Sequence, residues 1–167
     1  MMMKISIVGF AVLAGWGAFS PAFADNIAWS SECQPSETVA SNQICKVGAT
    51  VMGAASNEML FVIEMGKGSD QRDDFFRIIS PLGSFLPNGI GLVVDEVEVG
   101  RVPIERCTKQ GCFTVLRDPV GISKIQAALH GGHQLKIVYW IDPAQPLIVA
   151  MDIADYAAVW DDMESKL

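Results

Sequence analysis

The chain has 167 residues, half of them apolar, and its 19 acidic and 12 basic side chains leave a net charge of −7. Such a balance argues against nucleic acid or anionic lipid as the main partner, because both are held by neutralising cations. At this length a single domain is expected.

The first element is an export signal. Lys4 and the free amino terminus precede an apolar run of 15 residues, ISIVGFAVLAGWGAF (5–19), and SPAFA then leads to Asp25. Ala22 and Ala24 fit the A-x-A cleavage pattern, so residues 1–24 are expected to be removed. The run is short for a permanent membrane helix, which needs about 20 apolar residues. Trp16 stands where a lipid-modified chain would carry cysteine. Removal of 24 residues, Lys4 among them, leaves a domain of 143 (25–167) with charge −8. A chain of that size buries roughly 68–70% of its unfolded surface. No second long apolar window follows, so no stable transmembrane span is expected in the mature chain.

The mature part reads mainly as strands: IAWSSEC (27–33), CKVGATVM (45–52), EMLFVIEMG (58–66) and DFFRIIS (74–80). The last two flank the charged turn GKGSDQRDD and suit a hairpin. Pro81, Pro87, Gly89 and Gly91 then break the chain into turns, with GLVVD and RVPIERC as short strands and CFTVL (112–116) pairing back. DPVGISKIQAALHGG is the best helix, with Ile122, Ile125, Ala128 and Leu129 on one face and Gly131 as a stop. QLKIVYWID (134–142) and PLIVAMDIA (146–154) are strands around PAQ. DYAAVWDDMESKL closes the chain as a helix with Tyr156, Val159, Trp160 and Met163 in a stripe and Asp155 as a candidate cap. The expected fold is therefore mainly β: a sandwich or partly closed barrel of about eight strands with one or two covering helices.

Cys33, Cys45, Cys107 and Cys112 all lie in the mature part, and an even count in an exported chain reads as two disulfides. Three pairings are possible. The local one, Cys33–Cys45 with Cys107–Cys112, is favoured because each pair brackets a turn-forming segment, and Gly111 can take the positive φ of a tight turn. Zinc usually wants two to four residues between paired cysteines, and a thioredoxin-like centre wants C-x-x-C at a helix start. The four-residue gap at 107–112 is borderline for zinc, the spacing of the first pair does not suit it, and C-x-x-C is absent.

Other constellations have plain readings. HGGH holds His130 and His133, and a metal site there would need a further ligand such as Asp95 or Asp142; a turn with exposed imidazoles is the simpler reading. Ser30, Ser80 and Ser123 lie in no nucleophile-elbow pattern. Asp95, Glu96 and Glu98 could serve acid/base chemistry, although VVDEVEVG alternates like a half-exposed strand or hairpin. GKGSD lacks phosphate-loop spacing. Trp29, Trp140 and Trp160 could form a platform, but strand tryptophans are more often core.

The order of these features resembles the invasion-associated locus B family of exported bacterial proteins. The resemblance rests on WSSEC (Trp29, Cys33) with Cys45, and on RIISPLGSFLPNGIGLVVD (77–95) with Pro81, Leu82, Gly83, Leu86, Gly89 and Ile90. PIERCTKQGCFTVL (103–116), with its C-x-x-x-G-C, completes it. The chain departs from the pattern near its end, where DIADYAAVW puts Asp155 and Tyr156 in place of Gly-Phe. The resemblance implies a β-rich protein of a Gram-negative envelope, periplasmic, outer-membrane-associated or secreted, and a family named for host-cell entry. It supplies no catalytic residues.

The expected function is thus non-enzymatic binding of an envelope or host protein, without cofactor, metal or nucleic acid. Loops 67–74, 83–91 and 142–146 are candidate contact regions. The rival is a periplasmic thiol-redox enzyme, or another small enzyme, using Cys107 and Cys112.

Overall fold

The computed structural model describes residues 22–23, 27–35, 43–53, 58–68 and 74–167. In chain order the first strands are β1 (Ala22–Phe23), β2 (Ser30–Pro35), β3 (Gln43–Met52), β4 (Met59–Gly68) and β5 (Phe75–Ser80). A 3-10 turn at Leu86–Asn88 leads to β6 (Ile90–Val94), β7 (Val97–Val102), β8 (Arg106–Thr108) and β9 (Gly111–Leu116). Helix α1 (Pro119–Gly131), strands β10 (Gln134–Asp142) and β11 (Gln145–Asp152), and helix α2 (Tyr156–Glu164) complete the chain.

The strands form two sheets, ordered β2-β3-β4-β5-β9-β8 and β1-β11-β10-β6-β7. No hydrogen-bonded strand pair joins them among the described residues, so the fold is a sandwich and not a barrel. Alternation, clearest in β3 and β5, aims one face of the strands inward. Cys45, Val47, Ala49 and Val51 of β3, Phe61, Ile63 and Met65 of β4, and Phe76 and Ile78 of β5 are all buried. Ile90, Leu92 and Val94 of β6, with Leu135 and Ile137 of β10, meet them from the other sheet. Period-two patterning of this kind is what a half-buried antiparallel sheet requires.

The eleven strands among the described residues exceed the expected eight or so: β1 lies in the stretch read as the export signal, and two further stretches resolve differently from their reading. VVDEVEVG is a hairpin: Asp95 and Glu96 take φ of 45° and 69°, the left-handed pair of a two-residue turn whose twist suits the flanking strands. RVPIERC is not one strand. It splits at Pro103, whose missing N–H cannot serve a ladder, and β7 and β8 belong to different sheets.

Helix α1 begins where Asp118 accepts a hydrogen bond from the Gly121 amide at 2.7 Å, with Pro119 at the first helical position. Its buried stripe is Ile122, Ile125 and Leu129. Asp155 does not cap α2 as expected: its backbone is already helical and its side chain makes no cap hydrogen bond. That helix is held instead by packing. Tyr156, fully buried, stands edge-on to Trp29 with centroids 5.0 Å apart and stacks on Trp160 at 5.9 Å. Burying such a ring contributes roughly 1.5–3 kcal/mol, and the ring pairs add about 0.5–1.5 kcal/mol each. The segment that departs from the family pattern therefore docks through Tyr156. Burial also pushes its phenol well above the ordinary range, with the charge of Glu164 acting in the same direction.

Candidate contact surface

The cysteines come together as two cross-strand pairs. Cys33 faces Cys45 across β2 and β3, and Cys107 faces Cys112 across β8 and β9. Their sulfurs lie at disulfide distance, 2.00 and 2.01 Å. Cys45 and Cys112 point into the core, whereas Cys107 is exposed. Gly111 closes the second turn with φ of 134°, and its backbone passes so close to Ser80 that a Cβ would lie 2.6 Å from that carbonyl oxygen. The turn next to Cys112 is thus pressed against the end of β5.

Beside that turn the sandwich has an apolar end. Val62 pairs with Ile79, so Met59 at the start of β4 and Leu82 just beyond β5 lie at the same end of the sheet. The edge of Tyr139 meets Phe61 at 5.1 Å and ties the second sheet to the same end. The Phe85 amide donates to the Trp140 carbonyl at 2.6 Å, which sets the 83–91 loop against the hairpin tip at 142–145. Eight large apolar side chains are exposed among the described residues. Met59, Leu82, Leu86, Ile141 and Leu147, five of them, lie on the segments that meet at this end, with exposures of 39–59%. Two of the three expected contact loops, 83–91 and 142–146, are brought together. The third, 67–74, has residues 69–73 outside the described residues.

On the outer face near this end, the Trp140 ring lies beside Gly91, and the Arg101 guanidinium sits 4.7 Å from the ring centre. The three tryptophans do not share a platform. Trp29 and Trp160 are core residues around Tyr156, and only Trp140 is half-exposed.

The two histidines diverge. His130 Nε2 meets Asp161 Oδ1 at 2.9 Å, linking α1 to α2, while His133 faces Asp95. Asp95 accepts hydrogen bonds from the backbone amides of His133 and Gln134, so it braces the β6–β7 turn against β10. The Gln134 amide is the main reason its carboxyl is held below the usual range; slight desolvation opposes this, and His133 adds to it. Among the described residues no group of three or more histidine, cysteine, aspartate or glutamate side chains could hold a metal ion. The neighbouring carboxylates also splay apart: Glu96 pairs with Lys136, and Glu98 lies 3.8 Å from Arg101. Ser80 is buried against the Cys112 carbonyl, away from either histidine.

Sequence reasoning passed over one feature, a charged ladder across the outer face of the six-stranded sheet. Glu32, Lys46, Glu64 and Arg77 follow one another over β2, β3, β4 and β5. Glu64 is buried, and Gly48 opposite it leaves the space its side chain fills. A cleft of about 380 Å³ opens over Gly48, between Ser30, Glu32, Lys46, Thr50 and Val62. The signal was present in the sequence: a lone glutamate inside the apolar run MLFVIEMG. A second cleft, of about 300 Å³, lies between α1, α2 and the end of β4, lined by Lys67, Gln126, His130, Asp161 and Glu164.

A two-sheet sandwich with cross-strand cysteine pairs, helical cover on one flank and an apolar end defines a class of small β-rich domains that carry loops on a rigid body. The chain belongs to the invasion associated locus B (IalB) protein family, whose model matches residues 29–164. Its fold is similar to the crystal structure of invasion associated protein B from Bartonella henselae, with a TM-score of 0.63 at 17% identity. That match covers 83% of this chain and 92% of the other. No curated protein matches the chain.

Proposed function

We propose that the protein is an exported, non-catalytic contact module of the bacterial envelope, which binds a partner protein through the apolar end. Three things support this reading: the export signal at 1–24, the family to which the chain belongs, and the crowding of exposed apolar side chains around loops 83–91 and 142–146. The last carries it. Scattered apolar residues are ordinary on a protein surface, but a contiguous patch ringed by polar groups marks an interaction site. The overall acidity argues against anionic lipid as its occupant and leaves a protein surface as the natural one. In this reading the cysteine pairs are disulfide staples that hold β2 to β3 and β8 to β9, and so fix the body that presents the loops.

In-cell photocrosslinking tests the proposal. A photoreactive residue at Leu86 should give a discrete protein adduct, and the same residue at Val120, which is 77% exposed on α1, should not. Adding Ile141→Glu should abolish the Leu86 adduct without altering the melting temperature. Equal adducts at both positions would sink the idea. The redox rival predicts instead that the exported protein reduces a disulfide substrate, and that Cys107→Ser with Cys112→Ser abolishes this activity.

A further inference from the structure

We propose that the outer edge of β11 is a docking site for an extended strand of a partner protein, running parallel to β11 in the place of β1. Ala22 and Phe23 lie against this edge, opposite Val149 and Ala150 in parallel register. The inference rests on removal of residues 1–24, part of the reading above. Once they leave, β11 becomes the terminal strand of its sheet.

Among the described residues the four sheet edges differ in a telling way. A terminal strand presents unpaired N–H and C=O groups, and proteins blunt such edges with charge, proline, bulges or brevity. β7 carries Glu98 and Arg101 and pairs with β6 through a register shift. β8 has three residues, one of them Arg106. β2 carries Glu32 and ends at Pro35. β11 alone runs PLIVAM without a charge, from Pro146 to Met151. Beyond Pro146 every residue to Met151 keeps its N–H, alternate ones serving β10 and the rest facing the outer edge, and their side chains suit a strand. Left bare, such an edge would invite aggregation. An edge of this composition is built to be covered, and the two residues of β1 engage only part of its length.

The occupant follows from the same features. Main-chain hydrogen bonds would supply most of the affinity, and alternate side chains the selectivity. Asp152 at one end and the acidic body disfavour an acidic peptide, and residues 146–151 carry no charge to pair with a basic one, so the partner segment is extended and uncharged, with small and aromatic residues like the Ala-Phe it replaces. A second copy would pair β11 antiparallel about a two-fold axis, the opposite sense to β1.

The test uses the exported protein with its amino terminus fixed by intact mass, and a synthetic peptide of residues 19–26, FSPAFADN. Expected are a terminus at Asp25 and saturable slowing of exchange at the outward-facing amides within 147–151, by about tenfold when peptide is in tenfold excess over its dissociation constant. Exchange in β7 should not change. Phe23→Pro in the peptide, which removes a donor without touching the protein, should weaken the effect by about tenfold or more. A terminus at Asp25 with unaltered exchange at millimolar peptide would overturn the docking site and leave the export signal standing. A mass retaining residues 22–23 would overturn cleavage after Ala24, and with it the vacated edge on which the docking site depends. Slow exchange at 147–151 without peptide, in a protein of dimeric mass, would replace the partner strand by a second copy.

Discussion

Replacing Glu64 with glutamine should lower stability by about 2 kcal/mol at neutral pH, and acid should erase the difference. The carboxylate accepts hydrogen bonds from Lys46 Nζ at 2.8 Å and from Arg77 Nε at 2.5 Å, with its own side chain only 10% exposed. Hydrogen bonds to a charged group contribute about 1.5–3 kcal/mol each. Desolvation of the carboxylate offsets part of that, and the two cations remain about one-third exposed, so water screens the rest. A net near 2 kcal/mol corresponds to a fall in melting temperature of about 4–8 °C for a domain of this size. The pH dependence has a definite sign. Burial alone would raise the Glu64 carboxyl, but the hydrogen bonds and charges of Lys46 and Arg77 outweigh it and hold it below the ordinary value. A depressed folded pKa stabilises above the unfolded value, about 4.3, and that contribution is lost as pH falls through the folded one. Lys46 mirrors this. Its burial would lower it, yet bonds to Glu32 and Glu64 raise it, so its contribution is complete below the unfolded value and lost as pH rises through the folded one. Urea unfolding of wild type and Glu64→Gln, at pH 7 and in steps below pH 4.5, reads the effect directly. Equal stability at pH 7, or a gap that persists undiminished once the carboxyl is protonated, would refute the argument.

Two further substitutions probe the scaffold. Cys107→Ser with Cys112→Ser should cost about 2 kcal/mol, and Cys33→Ser with Cys45→Ser about 3 kcal/mol, because the second pair closes the longer loop. Urea midpoints measure both, and unchanged midpoints would mean that the sulfurs do not brace the fold. Gly89→Ala should destabilise by about 2 kcal/mol or more. Gly89 has φ of 61°, and a Cβ there would lie 2.6 Å from the Val102 carbonyl oxygen, next to the Ile90–Val102 pair. A melting temperature within a degree of wild type would show that the turn relaxes at little cost.

The residues of the P-L-G-x-x-L-x-x-G-I pattern now have physical work. Gly89 permits the backbone approach, Ile90 enters the core, and Leu82 and Leu86 face outward at the apolar end. Only some of this could be read without coordinates. Alternation located the strands because period two is a local property, and Ile122, Ile125 and Leu129 marked α1 because its spacing is local too. Local pairing of the cysteines followed from the turns between them. Pro103 was visible, but its consequence, a chain that changes sheets, was not.

The sequence by itself determined the strand-rich class, the two helices and the family, all carried by patterns spanning a few residues to a few dozen. Only the tertiary structure decided which loops share an end, that Glu64 lies in a ladder of four charges, and that β11 lies next to the edge of its sheet. The physical reason is separation along the chain. Residues such as Lys46 and Arg77, or Leu86 and Ile141, become neighbours only through strand order and register, which the alternation of side chains constrains but does not choose.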